Sequence, residues 1–75
     1  MKIEEAFRSA SFSGAEDQAA AWMMEHPHQA AGMTVRELAA EVYVSPATIL
    51  RVVHKCGYQG WRQFSADLLL YSESV

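Results

Sequence analysis

The chain has 75 residues, of which 51% are apolar and 20% charged, and its net charge is −3. That is length for a single domain with a thin core, burying about 60% of the surface its unfolded form exposes, and it is too apolar for a disordered tail. No apolar run approaches the roughly 20 residues that span a bilayer, Glu4 and Glu5 stand where a secretory leader needs a basic and then apolar stretch, and the single Cys56 allows no internal disulfide, so a soluble, cytoplasmic, all-α domain is expected.

The helices can be taken in chain order. Ile3 and Phe7, four apart, suggest a short opening helix that breaks at Ser11-Phe12-Ser13-Gly14. Ser13 and Glu16 have the spacing of a capping box, in which the serine accepts from the third amide and the glutamate reaches back to the cap amide. Behind them Ala19, Trp22 and Met23 form an apolar face, and Pro27 sets the end of that helix near His26. A turn of some helical character then leads to Gly32. Thr34 and Glu37 make a second capping box, followed by Val35, Leu38, Ala39 and Val42 on one stripe. Ser45-Pro46 is a third start, with a good N-cap residue before a proline whose missing amide hydrogen costs nothing. Ile49, Val52, Val53 and Cys56 repeat the apolar stripe, and Gly57 is the expected stop. A last helix runs from about Trp61, with Trp61, Phe64, Leu68 and Tyr71 on one side. The fold class is therefore a small bundle of four or five helices without strands.

The functional signal lies in the middle. The helix ending near Val42 and the one beginning at Ser45 are joined by a very tight turn, which sets two short helices at a large angle: a helix-turn-helix over about residues 34–56. At about 100° per residue, Ala47, Thr48, Arg51, His54 and Lys55 fall opposite Ile49, Val52 and Cys56. Such side chains suit DNA: Thr and Ala meet base edges and thymine methyls, Arg and Lys meet phosphate or guanine. Ser45 and Thr34 cap helices whose amides can also face phosphate, and Arg62 lies off the apolar side of the last helix as a further backbone contact.

Charge follows the same division. Residues 1–33 set two basic side chains against five acidic ones, a balance of −3; residues 34–64 set four against two, or +2; residues 65–75 carry −2. Phosphate responds to charge within roughly 8–10 Å, so a basic middle serves despite an acidic whole. The bland readings differ by residue. Trp61 and Phe64 read as core, Cys56 as a buried thiol, and Tyr58 as packing over the helix before it with its hydroxyl toward solvent or phosphate. Lys55 could instead complement its helix dipole. His26 and His28 have no cysteine or carboxylate cluster around them, so neither a metal nor a cofactor is expected. No nucleophile–base pair or glycine loop suggests an enzyme. A protein-interaction module of the same fold is the alternative, supported by overall acidity and by Leu68-Leu69-Leu70-Tyr71.

The middle segment also resembles a known family. Leu38-Ala39, Val44-Ser45-x-Ala47-Thr48-Ile49-x-Arg51 and Lys55-x-Gly57-Tyr58-x-Gly60-Trp61-x-x-Phe64 look like the N-terminal domain of RpiR-type bacterial transcriptional regulators, with Ser13-x-Ala15-Glu16 and Pro27 agreeing upstream. The resemblance covers roughly residues 13–70. It implies a helical bundle that reads duplex DNA with the helix starting at Ser45, in genes of sugar or phosphosugar metabolism. It also implies a following sugar-isomerase-like domain that takes the phosphosugar effector; with a stop at Val75 that domain is expected to be missing, leaving residues 1–75 as the DNA-binding part. The chain departs from the family pattern at Tyr43, Cys56 and Ser65. Few phosphate contacts per domain suggest a homodimer with two reading helices about 34 Å apart. Leu69 and Leu70, with Ile3 and Phe7, are the apolar material expected to be left over for it.

Overall fold

A computed structural model describes residues 2–74, and among them every regular element is a helix. These are α1 (Lys2–Ser9), α2 (Ala15–Glu25), α3 (Pro27–Ala31), α4 (Val35–Val42), α5 (Pro46–Lys55) and α6 (Trp61–Ser74). The count exceeds the expected four or five because the opening stretch and the segment after Pro27 are both helical. Pro27 explains the latter: it ends α2 at Glu25 and then occupies the first turn of α3, where a proline is tolerated. No described helix is long and apolar enough to cross a membrane.

The helices meet around α5 and α6. α5 packs between α2 and α4, and α6 lies against α3 and α1. Ile3, Met23, Leu38, Ile49, Val52, Val53, Phe64 and Leu68 are wholly enclosed. Phe64 is the hub of the aromatic packing, with ring centroids 5.8 Å from Phe7, 5.3 Å from Tyr58 and 5.6 Å from Trp61. Ile3 and Phe7 are thus spent on this core rather than left over, which corrects their expected place in a dimer contact. A single local pair on α1 could not reveal that α6 waits across the chain to cover it.

Two helix starts form as their sequences dictate. Thr34 Oγ1 accepts from the Glu37 amide at 3.1 Å, while Glu37 Oε1 accepts from the Thr34 amide at 2.8 Å, a complete capping box. Ser45 Oγ accepts from the Thr48 amide at 3.2 Å. The expected box at Ser13 does not close. Gly14, at φ 52° and ψ −119°, is the residue before α2, and no side chain caps that helix. Only the returning half survives, a 3.4 Å bond from the Ser13 amide to Glu16, while the Glu16 amide donates to the Ser13 carbonyl at 3.0 Å and not to its hydroxyl.

The same device ends α4 and α5. Val44 N–H reaches Ala39 O at 2.9 Å and Tyr43 N–H reaches Ala40 O at 3.4 Å; Tyr58 N–H reaches Val53 O at 3.2 Å and Gly57 N–H reaches His54 O at 2.9 Å. Both are Schellman endings, which require one left-handed residue. After α5 it is Gly57, with φ 86°; after α4 it is Tyr43, with φ 62° and ψ 44°. An L side chain there costs about 1–2 kcal/mol, and the Tyr43 ring recovers little by packing because it is 90% exposed. Tyr43→Gly is therefore expected to raise the stability of the domain by about 0.5–1 kcal/mol, the freer unfolded glycine offsetting part of the relief. Urea unfolding checks this, and a midpoint that fails to rise would contradict the strain at Tyr43.

Candidate nucleic-acid interface

The turn at Tyr43 and Val44 directs α5 away from α4. Its position is fixed from behind by Gln18, whose Nε2 donates to Val42 O at 2.9 Å, satisfying a carbonyl that the end of α4 would otherwise leave open. α5 then shows two faces. Ile49, Val52, Val53 and Cys56 are buried, and burial pushes the Cys56 thiol up to about 11, so it stays protonated and apolar in its setting. Ser45, Pro46, Ala47, Leu50, Arg51, His54 and Lys55 are exposed.

Of the residues expected on the open face, Thr48 is buried and Lys55, though exposed, is already paired. Thr48 is only 4% exposed. On the helical wheel it lies about 40° from Val52, at the edge of the buried stripe rather than opposite it. Its hydroxyl lies 3.0 Å from Ser45 Oγ and accepts from Arg51 Nη2 at 3.1 Å. Lys55 stands on the same flank. Its ammonium donates to Glu16 Oε1 at 2.6 Å and to Ser11 O at 3.0 Å, so it is turned back toward α2 instead of outward. Arg51 straddles the boundary: Nε donates to Glu16 Oε2 at 3.2 Å, while its side chain remains 57% exposed.

Ser45, Thr48, Arg51, Glu16 and Lys55 therefore form one continuous polar strip along the flank where α5 meets α2. Glu16 is its centre and has no counterpart in the sequence reading, which gave it a capping role. Its side chain is 11% exposed, and the Lys55 ammonium, against the opposing pull of burial, holds its carboxyl below the ordinary value, with Arg51 adding to the effect. The glutamate is thus charged at neutral pH and offsets one of the two cations of α5. Its partners lie 35 and 39 residues downstream, so no local pattern pointed to them. Leu50 was also missed. It is 37% exposed at the edge of the outer face, about 40° beyond His54 on the helical wheel and on the side away from Lys55.

Thr34 and Arg62 belong to a second group. Trp61 Nε1 donates to Met33 O at 3.0 Å, fastening the first turn of α6 to the residue that precedes the Thr34 cap. Thr34 and Arg62 are exposed on the two helix starts so joined. Tyr58 differs from its expected role: it is 3% exposed, and its hydroxyl donates to Asp67 at 2.6 Å rather than facing solvent. Burial, reinforced by the Asp67 carboxylate, pushes that phenol well up. His26 lies against the Trp22 ring with centroids 4.7 Å apart, and among the described residues no group of three or more His, Cys, Asp or Glu side chains is arranged to hold a metal.

What the arrangement offers is a capped helix with one face locked in the core and the other open, its principal cation held in a fixed plane. No curated protein and no solved structure matches the chain, whereas the helix-turn-helix domain of the rpiR family matches residues 1–73. The chain belongs to the rpiR family of helix-turn-helix domains, the DNA-binding domains of transcriptional regulators.

Proposed function

We propose that the domain reads duplex DNA by placing α5 in the major groove. The observation that carries this reading is the open face of α5, where Ala47, Leu50, Arg51 and His54 are exposed while the opposite face is buried in the core. Arg51 meets a guanine edge or a phosphate, Ala47 and Leu50 approach thymine methyls, and His54 lies further along the groove. Ser45 caps the entering end of the helix, and Thr34 and Arg62 meet the flanking backbone. Thr48 and Lys55 orient Arg51 and the α5 flank more than they contact DNA. In the cell the domain serves a bacterial regulator of sugar or phosphosugar genes in the cytoplasm, with the effector taken by a separate sugar-isomerase-like domain and not by these helices. Two copies bind together, and the apolar material for that contact reduces to Leu69 and Leu70 of α6, which are 39% and 55% exposed. That same exposed pair is what favours the alternative of a protein-interaction module.

Fluorescence anisotropy with a labelled mixed-sequence duplex separates the two. Each neutralised phosphate contributes a slope of about −0.9 to log K against log salt, so with about three phosphates engaged the affinity falls about 40-fold from 50 to 200 mM salt. Absence of binding at 50 mM salt, or binding indifferent to salt, would contradict DNA reading and leave the leucines as the functional surface.

A further inference from the structure

Glu16 does more than join two helices. Among the described residues it is the only acidic residue in the buried class, and both of its oxygens are spent on cations of α5: Oε2 on Arg51 at 3.2 Å, Oε1 on Lys55 at 2.6 Å. Lys55 is engaged a second time at Ser11 O, 3.0 Å away. For Lys55 to neutralise a phosphate it must leave a carboxylate that already neutralises it. For Arg51 the two anchors have a different consequence. With Nε on Glu16 and Nη2 on Thr48, the plane of the rigid guanidinium is fixed before any DNA arrives.

We propose that Glu16 is a specificity-setting positioning residue, which withholds Lys55 from the DNA backbone and fixes the plane of Arg51, so that affinity for arbitrary sequence is held down. This rests on the reading of α5 as the DNA-contacting helix. Non-specific affinity comes from the number of phosphates neutralised, so a protein that keeps one cation occupied internally sacrifices sequence-independent binding. A regulator gains by this, because its operator competes with a vast excess of other sites. A glutamate that merely fastens α2 to α5 has the opposite signature: its loss would loosen the α5 flank and weaken every mode of binding.

The test is Glu16→Gln, which keeps the shape of the side chain, removes its charge and leaves one acceptor oxygen where the carboxylate has two. Wild type and variant are compared on the labelled mixed-sequence duplex across a salt series, with circular dichroism to follow folding. The variant is expected to bind about three- to tenfold tighter at low salt, with a salt slope steeper by about one, as the freed Lys55 takes up a phosphate. Equal or weaker binding by a folded variant with an unchanged slope would overturn the proposal. Lys55→Gln gives an independent reading should the first variant not fold: a slope altered by less than about half a unit is expected, and a loss of about one would place Lys55 on phosphate already and overturn it. Failure of wild type and both variants to bind the duplex at all would instead remove the DNA reading itself, and this inference with it.

Discussion

Phe64→Ala is expected to cost the domain about 3–5 kcal/mol, the largest effect of any single substitution considered. The side chain is wholly enclosed, and it touches rings from three different places in the chain: Phe7 on α1, Tyr58 after α5, and Trp61 one turn back on α6. Removing the ring leaves a cavity and takes away a ring contact that Phe7, Tyr58 and Trp61 share. A chain of 75 residues has little with which to absorb that loss. At roughly 0.05–0.15 kcal/mol per residue, its whole stability is about 4–11 kcal/mol. Thermal unfolding followed by circular dichroism should show a midpoint lowered by at least about 12 °C, or no cooperative transition at all. A fall of less than about 4 °C would mean that α1 and α6 do not share one core with the helix-turn-helix.

Arg51→Ala is expected to weaken DNA binding by about five- to 150-fold, equivalent to about 1–3 kcal/mol, if Arg51 reads a base. If it holds only phosphate, the salt slope falls by about one and all sequences are affected alike. Stability should barely move. The Arg51 side chain is 57% exposed, so solvent screens its half-buried pair with Glu16, and Glu16 keeps Lys55 as a partner. This separation of binding from stability distinguishes Arg51 from the core residues beside it. Anisotropy against duplex DNA and a urea titration on the same preparation provide both numbers. A variant that binds as the wild type does, with the same salt slope, would remove Arg51 from the interface.

The parts of this fold visible in the sequence are those set by near neighbours. Thr34 with Glu37, Ser45 with Pro46, and Gly57 each act within a turn of their own position, so the limits of α4 and α5 could be read directly. The buried stripes of those helices follow from spacing alone. Partners distant in the chain escaped notice. Ile3 and Phe7 looked unemployed because Phe64, which receives Phe7, is 57 residues away. Glu16 looked like a cap because Ser13 is near and Lys55 is not, yet the close 2.6 Å contact is with Lys55. A different kind of error moved Thr48. On the wheel it borders Val52, at the edge of the buried stripe and outside the face opposite it. The open face of α5 therefore gains Leu50 and gives up Thr48, while Lys55 stays exposed at its edge with its ammonium on Glu16.

On this reading α5 itself enters the major groove. Intermolecular nuclear Overhauser effects, recorded on the labelled domain bound to a duplex enriched from a random pool, test it most directly. Thymine methyl groups project into the major groove, and the methyls of Ala47 and Leu50 are the apolar groups of α5 placed to meet them. Cross-peaks between those methyls are the predicted result, accompanied by shifts at Ser45, Arg51 and His54. Cross-peaks confined to Leu69 and Leu70 of α6, or to the minor-groove edges of the bases, with α5 unperturbed, would contradict it.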